Sequence, residues 1–288
     1  MAEGFVFGFD RGVVERSSRT HVECTPSLRV GCALNTSWHD LAANYAGSTN
    51  PLEKVEFSSD LIIRHVIVPR LSIAYNSNGD ASDLVPGKYL GGLKIWSCAR
   101  DLASFMSSCS GEENGERHLS ATCIIRLRHS SVLELGCGHG IGGITALLLG
   151  AGRVTFHDFN EEVLNAVTKP NVAVNYCGST DQAVPFAFGD WVAFYPEERF
   201  DLIIGSDVCY DPEATEKFCE TVCRLLNDTG MALIATKNYY FGTNGGAAEI
   251  LQCMQQVEPP WDVNVVWQSP HGAELSRCIL SLKRCVRN

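Results

Sequence analysis

The segment from Ser131 to Gly143, SVLELGCGHGIGG, constrains the fold more than any other part of the chain. Val132, Leu133 and Leu135 form a short apolar run around Glu134, after which glycine recurs at positions 136, 138, 140, 142 and 143. An apolar run of this length that stops in glycines reads as a buried strand entering a tight loop. Ile144 to Leu149 then supplies a helix, with Ile144, Leu147 and Leu148 at helical spacing before Gly150. Residues without a Cβ let such a loop pass through positive φ and lie against a ligand. The helix N-terminus that follows presents unpaired N–H groups to whatever is bound there.

Two ligand classes fit this loop. Gly138, Gly140 and Gly143 match G-x-G-x-x-G, with Asp158 eighteen positions beyond Gly140, a pattern of dinucleotide sites. The form E-x-G-x-G-x-G over 134–140 instead places a carboxylate ahead of the glycines. In this it resembles motif I of the seven-strand, class I S-adenosylmethionine-dependent methyltransferases. A carboxylate suits a cofactor that carries a sulfonium and an ammonium group and has no pyrophosphate to repel.

Composition narrows the partners. The chain has 288 residues, 45% of them hydrophobic and 19% charged, enough for a core of ordinary size. A formal net charge of −10 disfavours a nucleic-acid or anionic-membrane surface and favours a basic protein partner. The thirteen cysteines are scattered without a C-x-x-C pair, so they read as reduced thiols. Cys219 and Cys223 lie four apart on an expected helix but lack further ligands, and no metal is expected. Cys137 reads as a small buried side chain beneath the cofactor rather than a nucleophile. No run approaches the roughly 20 apolar residues of a membrane span, and Glu3, Asp10 and Glu15 interrupt any transit peptide.

The first 60 residues show poor periodicity and a turn at Asn50-Pro51, and read as a partly flexible N-terminal extension to a domain over 61–288. Leu61 to Val68 reads as a strand ended by Pro69, with His65 an ordinary half-buried strand residue. Asn76 to Asp83 reads as a polar loop, and Gly111 to Arg117 as a solvated loop or insertion. Between them, SDLVPGKYLGGLKIWSC over 82–98 leads into an amphipathic helix with Leu102, Phe105 and Met106 on one face. Trp96 there is either a core aromatic or a flat wall for a ligand. The stretch is similar to P-G-x-Y-E-G-G-L-K-I-W-E-C of the histidine protein methyltransferase family, where it lines the cofactor pocket. Leu90 and Ser97 stand where that family has glutamate.

Further strands follow the glycine loop. Arg153 to Asp158 is one, ending in Asp158 and Asn160, and a carboxylate at that place can accept both ribose hydroxyls. His157 beside it reads as structural. Val163 to Asn175 again resembles the histidine family in its T-x-P-N-V pattern. Pro185 to Trp191 gives a strand ending in Asp190 and Trp191, an acceptor for an adenine amino group next to a stacking face. Asp201 to Asp211, DLIIGSDVCYD, runs from a buried strand into Ser206, Asp207 and Tyr210, which should meet the methyl group at the sheet's carboxyl edge. S-D-V-C-Y resembles the D-x-x-Y or E-x-x-Y motif of the protein methyltransferases. The histidine branch generally has S-E-T-I-Y, and D-x-x-Y also marks lysine methyltransferases. A helix carrying Phe218, Val222, Leu225 and Leu226 and a turn at Gly230 lead to a fifth strand. After it, K-x-Y-Y-F-G-x-x-G-G over 237–246 is similar to K-x-H-Y-F-G-x-G-G-G of the histidine family. Val263 to Trp267 and Cys278 to Leu282 read as a closing strand pair.

Alternating strands and helices give a doubly wound, mostly parallel α/β sheet of Rossmann-like type. The resemblance, over about 83–282, implies strand order 3-2-1-4-5-7-6 with strand seven antiparallel. It implies S-adenosylmethionine as cofactor, with S-adenosylhomocysteine as product, held by Trp96, Glu134, Gly136, Gly138, Gly140, Asp158, Asn160, Asp190, Trp191 and Ser206. Asp207 and Tyr210 would be catalytic, Asp207 accepting the imidazole N–H of the target. It further implies a histidine in a basic, large-subunit ribosomal protein as acceptor and a monomeric enzyme of the cytoplasm or nucleus. Two other readings remain open: a protein-lysine methyltransferase, and a noncatalytic cofactor-binding module.

Overall fold

The computed structural model describes residues 31–37, 40–41, 51–58, 61–108, 112–113, 116–120, 123–176, 183–270 and 275–285. In chain order these form β1 (Gly31–Ser37), β2 (Leu52–Ser58), β3 (Leu61–Val66), α1 (Ser97–Ser107), β4 (Glu112–Glu113), β5 (Glu116–Ser120), β6 (Cys123–Arg126) and β7 (Ser131–Leu135). There follow α2 (Ile141–Leu148), β8 (Arg153–Asp158), α3 (161–175), β9 (Ala183–Phe188), β10 (Phe200–Ser206), α4 (Pro212–Leu225), β11 (Leu226–Lys237), α5 (Ala247–Gln255), β12 (Trp261–Gln268) and β13 (Arg277–Arg284).

The main sheet runs β1-β9-β8-β7-β10-β11-β13-β12. Strands β9, β8, β7, β10 and β11 are parallel, β13 is antiparallel to β11, and β12 is antiparallel to β13. Numbered from β7 and without β1, this is the expected order 3-2-1-4-5-7-6. The strands bury both faces, so alternate residues feed two separate cores. Val132, Ile204 and Leu233 pack with Leu102 and Met106 of α1 and Ile144 of α2. Leu133, Ile203 and Ile234 pack with Phe218 and Val222 of α4 and Ile250 of α5. Helices therefore cover both sides of the sheet, as the doubly wound reading requires.

Three local readings need correction. The first 60 residues were read as a partly flexible extension to the domain, yet β1 within them pairs antiparallel with β9 as an eighth strand of the main sheet, and β2 pairs with β3. GCALNTS in β1 has no clean alternation, which hid it. The expected loop near Gly111 to Arg117 includes β4 and the start of β5, in a small sheet ordered β4-β5-β6; residues 111 and 114–115 lie outside the described residues, as does Asn50 of the expected turn. Gly230 lies inside β11 rather than in a turn before it. In α3, residues Leu164–Thr168 form a π turn just before Pro170. A proline has no N–H for the carbonyl four residues back, and the wider turn takes up that misfit.

Candidate active site

The loop after β7 folds as its glycines allow. Gly136, Gly138 and Gly140 have φ of 67°, 50° and 73°, the left-handed region that side chains disfavour. Glu134, buried in β7, turns its carboxylate to the start of α2 and accepts from the N–H of Gly142 at 3.1 Å and Gly143 at 2.8 Å. The strand thus supplies the cap that α2 lacks at Gly140. Burial pushes the Glu134 carboxyl up to about 8, against the two N–H bonds that favour its charged form.

A cleft of about 540 Å³ opens along the carboxyl ends of β7, β8, β9 and β10, within the range of about 300–1,000 Å³ usual for small-molecule sites. The segment before α1 forms its other wall. A Cβ on Gly138 would stand 3.1 Å from the Gly92 carbonyl oxygen across this gap. Five carboxylates line the cleft (Asp158, Asp190, Asp207, Asp211 and Glu213) against two lysines (Lys94 and Lys217). That balance suits a cationic cofactor and opposes a pyrophosphate.

Nine of the twelve expected residues line the cleft: Trp96, Gly136, Gly138, Asp158, Asp190, Trp191, Ser206, Asp207 and Tyr210. Glu134, Gly140 and Asn160 do not. Glu134 holds the helix start beneath the loop. Gly140 is packed so that a Cβ would meet Thr168 at 3.1 Å and Phe156 at 3.2 Å. Asn160 is buried, its amide donating to the Lys88 carbonyl at 2.7 Å and its N–H to Asp158. These three shape the site from behind. Asp158 accepts from the N–H of Gly138 at 2.9 Å through one oxygen and of Asn160 at 3.0 Å through the other. Burial raises it to about 6, against the backbone N–H bonds that favour its charged form.

At the far end of the cleft, Asp190 accepts from the N–H of Val192 and pairs with Lys217 of α4 at 2.9 Å. Arg224 donates to the carbonyls of Trp191 and Phe194 and stacks on Tyr195, which fixes this loop. Trp191 packs edge-on against Phe218. His157 is fully buried beside Phe194, outside the cleft, and burial lowers it to about 3, so it is a neutral packing residue.

A second pocket of about 290 Å³ adjoins the first and shares Leu84, Leu90, Trp96, Asp207, Tyr210 and Thr243 with it. Its remaining walls are Lys237, Tyr239, Tyr240, Phe241 and Leu275. Asp207, at φ 55°, forms the junction. Its side chain is 3% exposed and already engaged. One oxygen accepts from the Cys98 N–H at the start of α1 at 3.0 Å, and the other from the Tyr240 hydroxyl at 2.6 Å, with the Lys237 ammonium 3.6 Å away. Each oxygen thus already holds one donor, and the imidazole N–H expected at Asp207 would share the carboxylate with Cys98 and Tyr240. Burial, and then the Asp207 charge, raise the Tyr240 hydroxyl far above its ordinary value, so it remains a donor. Tyr210, raised to about 12 by burial, is fixed through its carbonyl, which accepts from the Gly245 N–H at 3.1 Å and from the Thr243 hydroxyl.

Sequence reasoning missed Gly92, Lys217, Lys237 and Tyr240 as site residues. Gly92 belonged to the G-G-L-K-I-W part of the stretch before α1, and Lys237 and Tyr240 to K-x-Y-Y-F-G, so their motifs were visible although their contacts were not. Leu90, one of the two departures from the glutamates of the similar stretch, lines both pockets, whereas Ser97 opens α1.

Sheet order, glycine loop and cleft together define the class: the seven-strand fold of the S-adenosylmethionine-dependent methyltransferases. The chain matches the model of a family described as lysine methyltransferase over residues 88–244, more than half its length, and it belongs to that family. It is 38% identical over 170 residues to the histidine protein methyltransferase 1 homolog of Dictyostelium discoideum, covering 58% of this chain and 50% of that protein. It is 34% identical over 206 residues to the rat (Rattus norvegicus) homolog, covering 62% and 53%. The chain thus spans about half the length of these curated relatives. Among solved structures, a putative methyltransferase from Streptococcus mutans superposes with a TM-score of 0.51 at 12% identity, covering 82% of this chain and 57% of that one. That likeness concerns the fold.

Proposed function

We propose that the chain transfers a methyl group from S-adenosylmethionine to a histidine side chain of a protein. The observation that carries this reading is the second pocket, which opens onto the cofactor cleft through Asp207 and Tyr210 and whose wall is the K-x-Y-Y-F-G segment. The relatives named as histidine protein methyltransferases support the same acceptor.

The bound cofactor supplies an electrophilic methyl carbon on a sulfonium centre. The protein's part is positioning and charge. In this reading Asp158 accepts ribose hydroxyls, and Asp190 with Trp191 holds the adenine end. Tyr240 donates to Asp207 and its oxygen accepts the Lys237 backbone N–H at a long 3.5 Å, so an incoming imidazole N–H would compete with that weak bond for the oxygen and turn the other ring nitrogen towards the cleft. Asp207 then acts through Tyr240, stabilising the positive charge that develops on the ring. An imidazole with an ordinary pKa near 6.5 is already mostly neutral at pH 7, and no deprotonation need precede attack.

A basic, large-subunit ribosomal protein is the proposed target, in keeping with the acidic chain. Incubation with labelled cofactor and ribosomal extract, followed by amino-acid analysis of the labelled band, tests the reading. Methylhistidine is expected. Methyllysine would establish the second reading, which the family's description favours.

A further inference from the structure

The second pocket contains a fixed positive charge. Lys237 ends β11, beside Asp207 at the end of β10, and its side chain is 13% exposed. Its ammonium stands 3.6 Å from Asp207, 4.6 Å from the Tyr240 ring centre and 5.4 Å from the Trp96 ring centre. One carboxylate and two aromatic faces therefore hold it in place, the arrangement that favours a cation. Asp207 is the one acid among the described residues lining this pocket; each of its oxygens already holds a donor, and the Lys237 ammonium offsets its charge. The nearby Asp101 is bound to Arg277 at 2.5 Å.

We propose that Lys237 is a specificity-determining residue that keeps protonated lysine side chains out of the acceptor pocket and leaves it to an uncharged ring. The proposal rests on the reading of this pocket as the acceptor site. A lysine side chain, with an ordinary pKa near 10.4, arrives as an ammonium ion and finds a second ammonium with no free carboxylate to offset it. Partly buried charges at this range are screened little by salt. A neutral imidazole meets no such repulsion. The charge count also differs during transfer. As the ring nitrogen's lone pair forms the new N–C bond, the S–C bond breaks with its pair left on sulfur, and the single positive charge passes from sulfur to the ring before a proton leaves the other nitrogen. An ammonium would add a further charge beside Lys237 and the sulfonium. A basic target protein carries many lysines, so exclusion of ammonium groups also keeps the pocket from being occupied unproductively.

The test reads binding rather than turnover. The full-length chain, saturated with S-adenosylhomocysteine, is titrated with imidazole and with n-butylammonium by ligand-observed NMR at about pH 8.5, where the first is neutral and the second charged. Wild type should bind imidazole at least tenfold more tightly. Lys237→Met, and separately Lys237→Gln, should strengthen n-butylammonium binding about tenfold and change imidazole binding less than threefold. Equal affinity of the two probes for wild type overturns the proposal without needing either variant to fold. So does a Lys237 variant that binds S-adenosylhomocysteine normally yet shows no gain for n-butylammonium. Binding of neither probe to any form removes the pocket as an acceptor site. Failure of the histidine reading shows separately, as methyllysine in the labelled extract.

Discussion

Two buried carboxylates at the sheet's carboxyl edge do similar local work and differ in what they face. Glu134 and Asp207 each accept from N–H groups at the start of a helix, α2 in one case and α1 in the other. Above Glu134 the chain offers backbone, a glycine loop whose shape is set by φ values. Around Asp207 it offers side chains, drawn from the segment before α1, the end of β10 and the loop after β11. The first region can be altered only by adding atoms to a backbone that has no room for them. The second can be altered one functional group at a time, and that is where related enzymes can diverge in acceptor while keeping one cofactor.

The largest effect should come from the first region. Gly138→Val combines a φ of 50° with a Cβ 3.1 Å from the Gly92 carbonyl, and strain plus overpacking of about 2–5 kcal/mol should remove S-adenosylhomocysteine binding by calorimetry. Retained affinity would contradict the assignment of the cleft. In the second region, Asp207→Asn should slow single-turnover transfer roughly ten- to a thousandfold through loss of charge behind Tyr240. Cofactor affinity should change less than about threefold, and a parallel loss of affinity would erase the distinction between the two regions.

Smaller effects sharpen the cofactor side. Asp190→Ala should weaken S-adenosylhomocysteine binding by about 1–3 kcal/mol, by removing the adenine acceptor and releasing Lys217. An unchanged dissociation constant would assign Asp190 to the ion pair alone. Asp158 titrates near 6 because burial raises it, and ligand hydroxyls favour its charged form. Binding should therefore strengthen as pH rises from 5 to 7, by roughly tenfold, the ratio of ionised fractions across a pKa near 6. Asp158→Asn should flatten that profile. On folding the same shift has the opposite sense: stability from the protonated form is present below the unfolded value and is lost as pH rises through about 6.

What could be read in the sequence follows the same division. The glycine loop, Asp158 and Asp190 were legible because a backbone constraint leaves its mark within a dozen residues, whereas the strand order followed from the resemblance to the histidine family. Arg153–Asp158 was read to its exact ends, since β8 is short and terminated by loop residues on both sides. Glu134 was legible as a motif residue but not in its role, because nothing local shows a side chain folding back on the helix nine positions ahead. The engagement of Asp207 was hidden for a similar reason. Its partners lie 109 positions before it and 33 after it, and only the closed sheet brings them together.

Strand β1 has a consequence for the fate of the chain outside its chemistry. In the order 3-2-1-4-5-7-6 alone, β9 would end the sheet with a row of unpaired amide and carbonyl groups, a template on which another chain's strand could add. Gly31–Ser37 occupies that row from Ala183 to Phe188. A short segment with little pattern of its own thereby acts as a guard against intermolecular association. A version of the protein trimmed past Ser37 should keep its cleft intact while losing colloidal solubility.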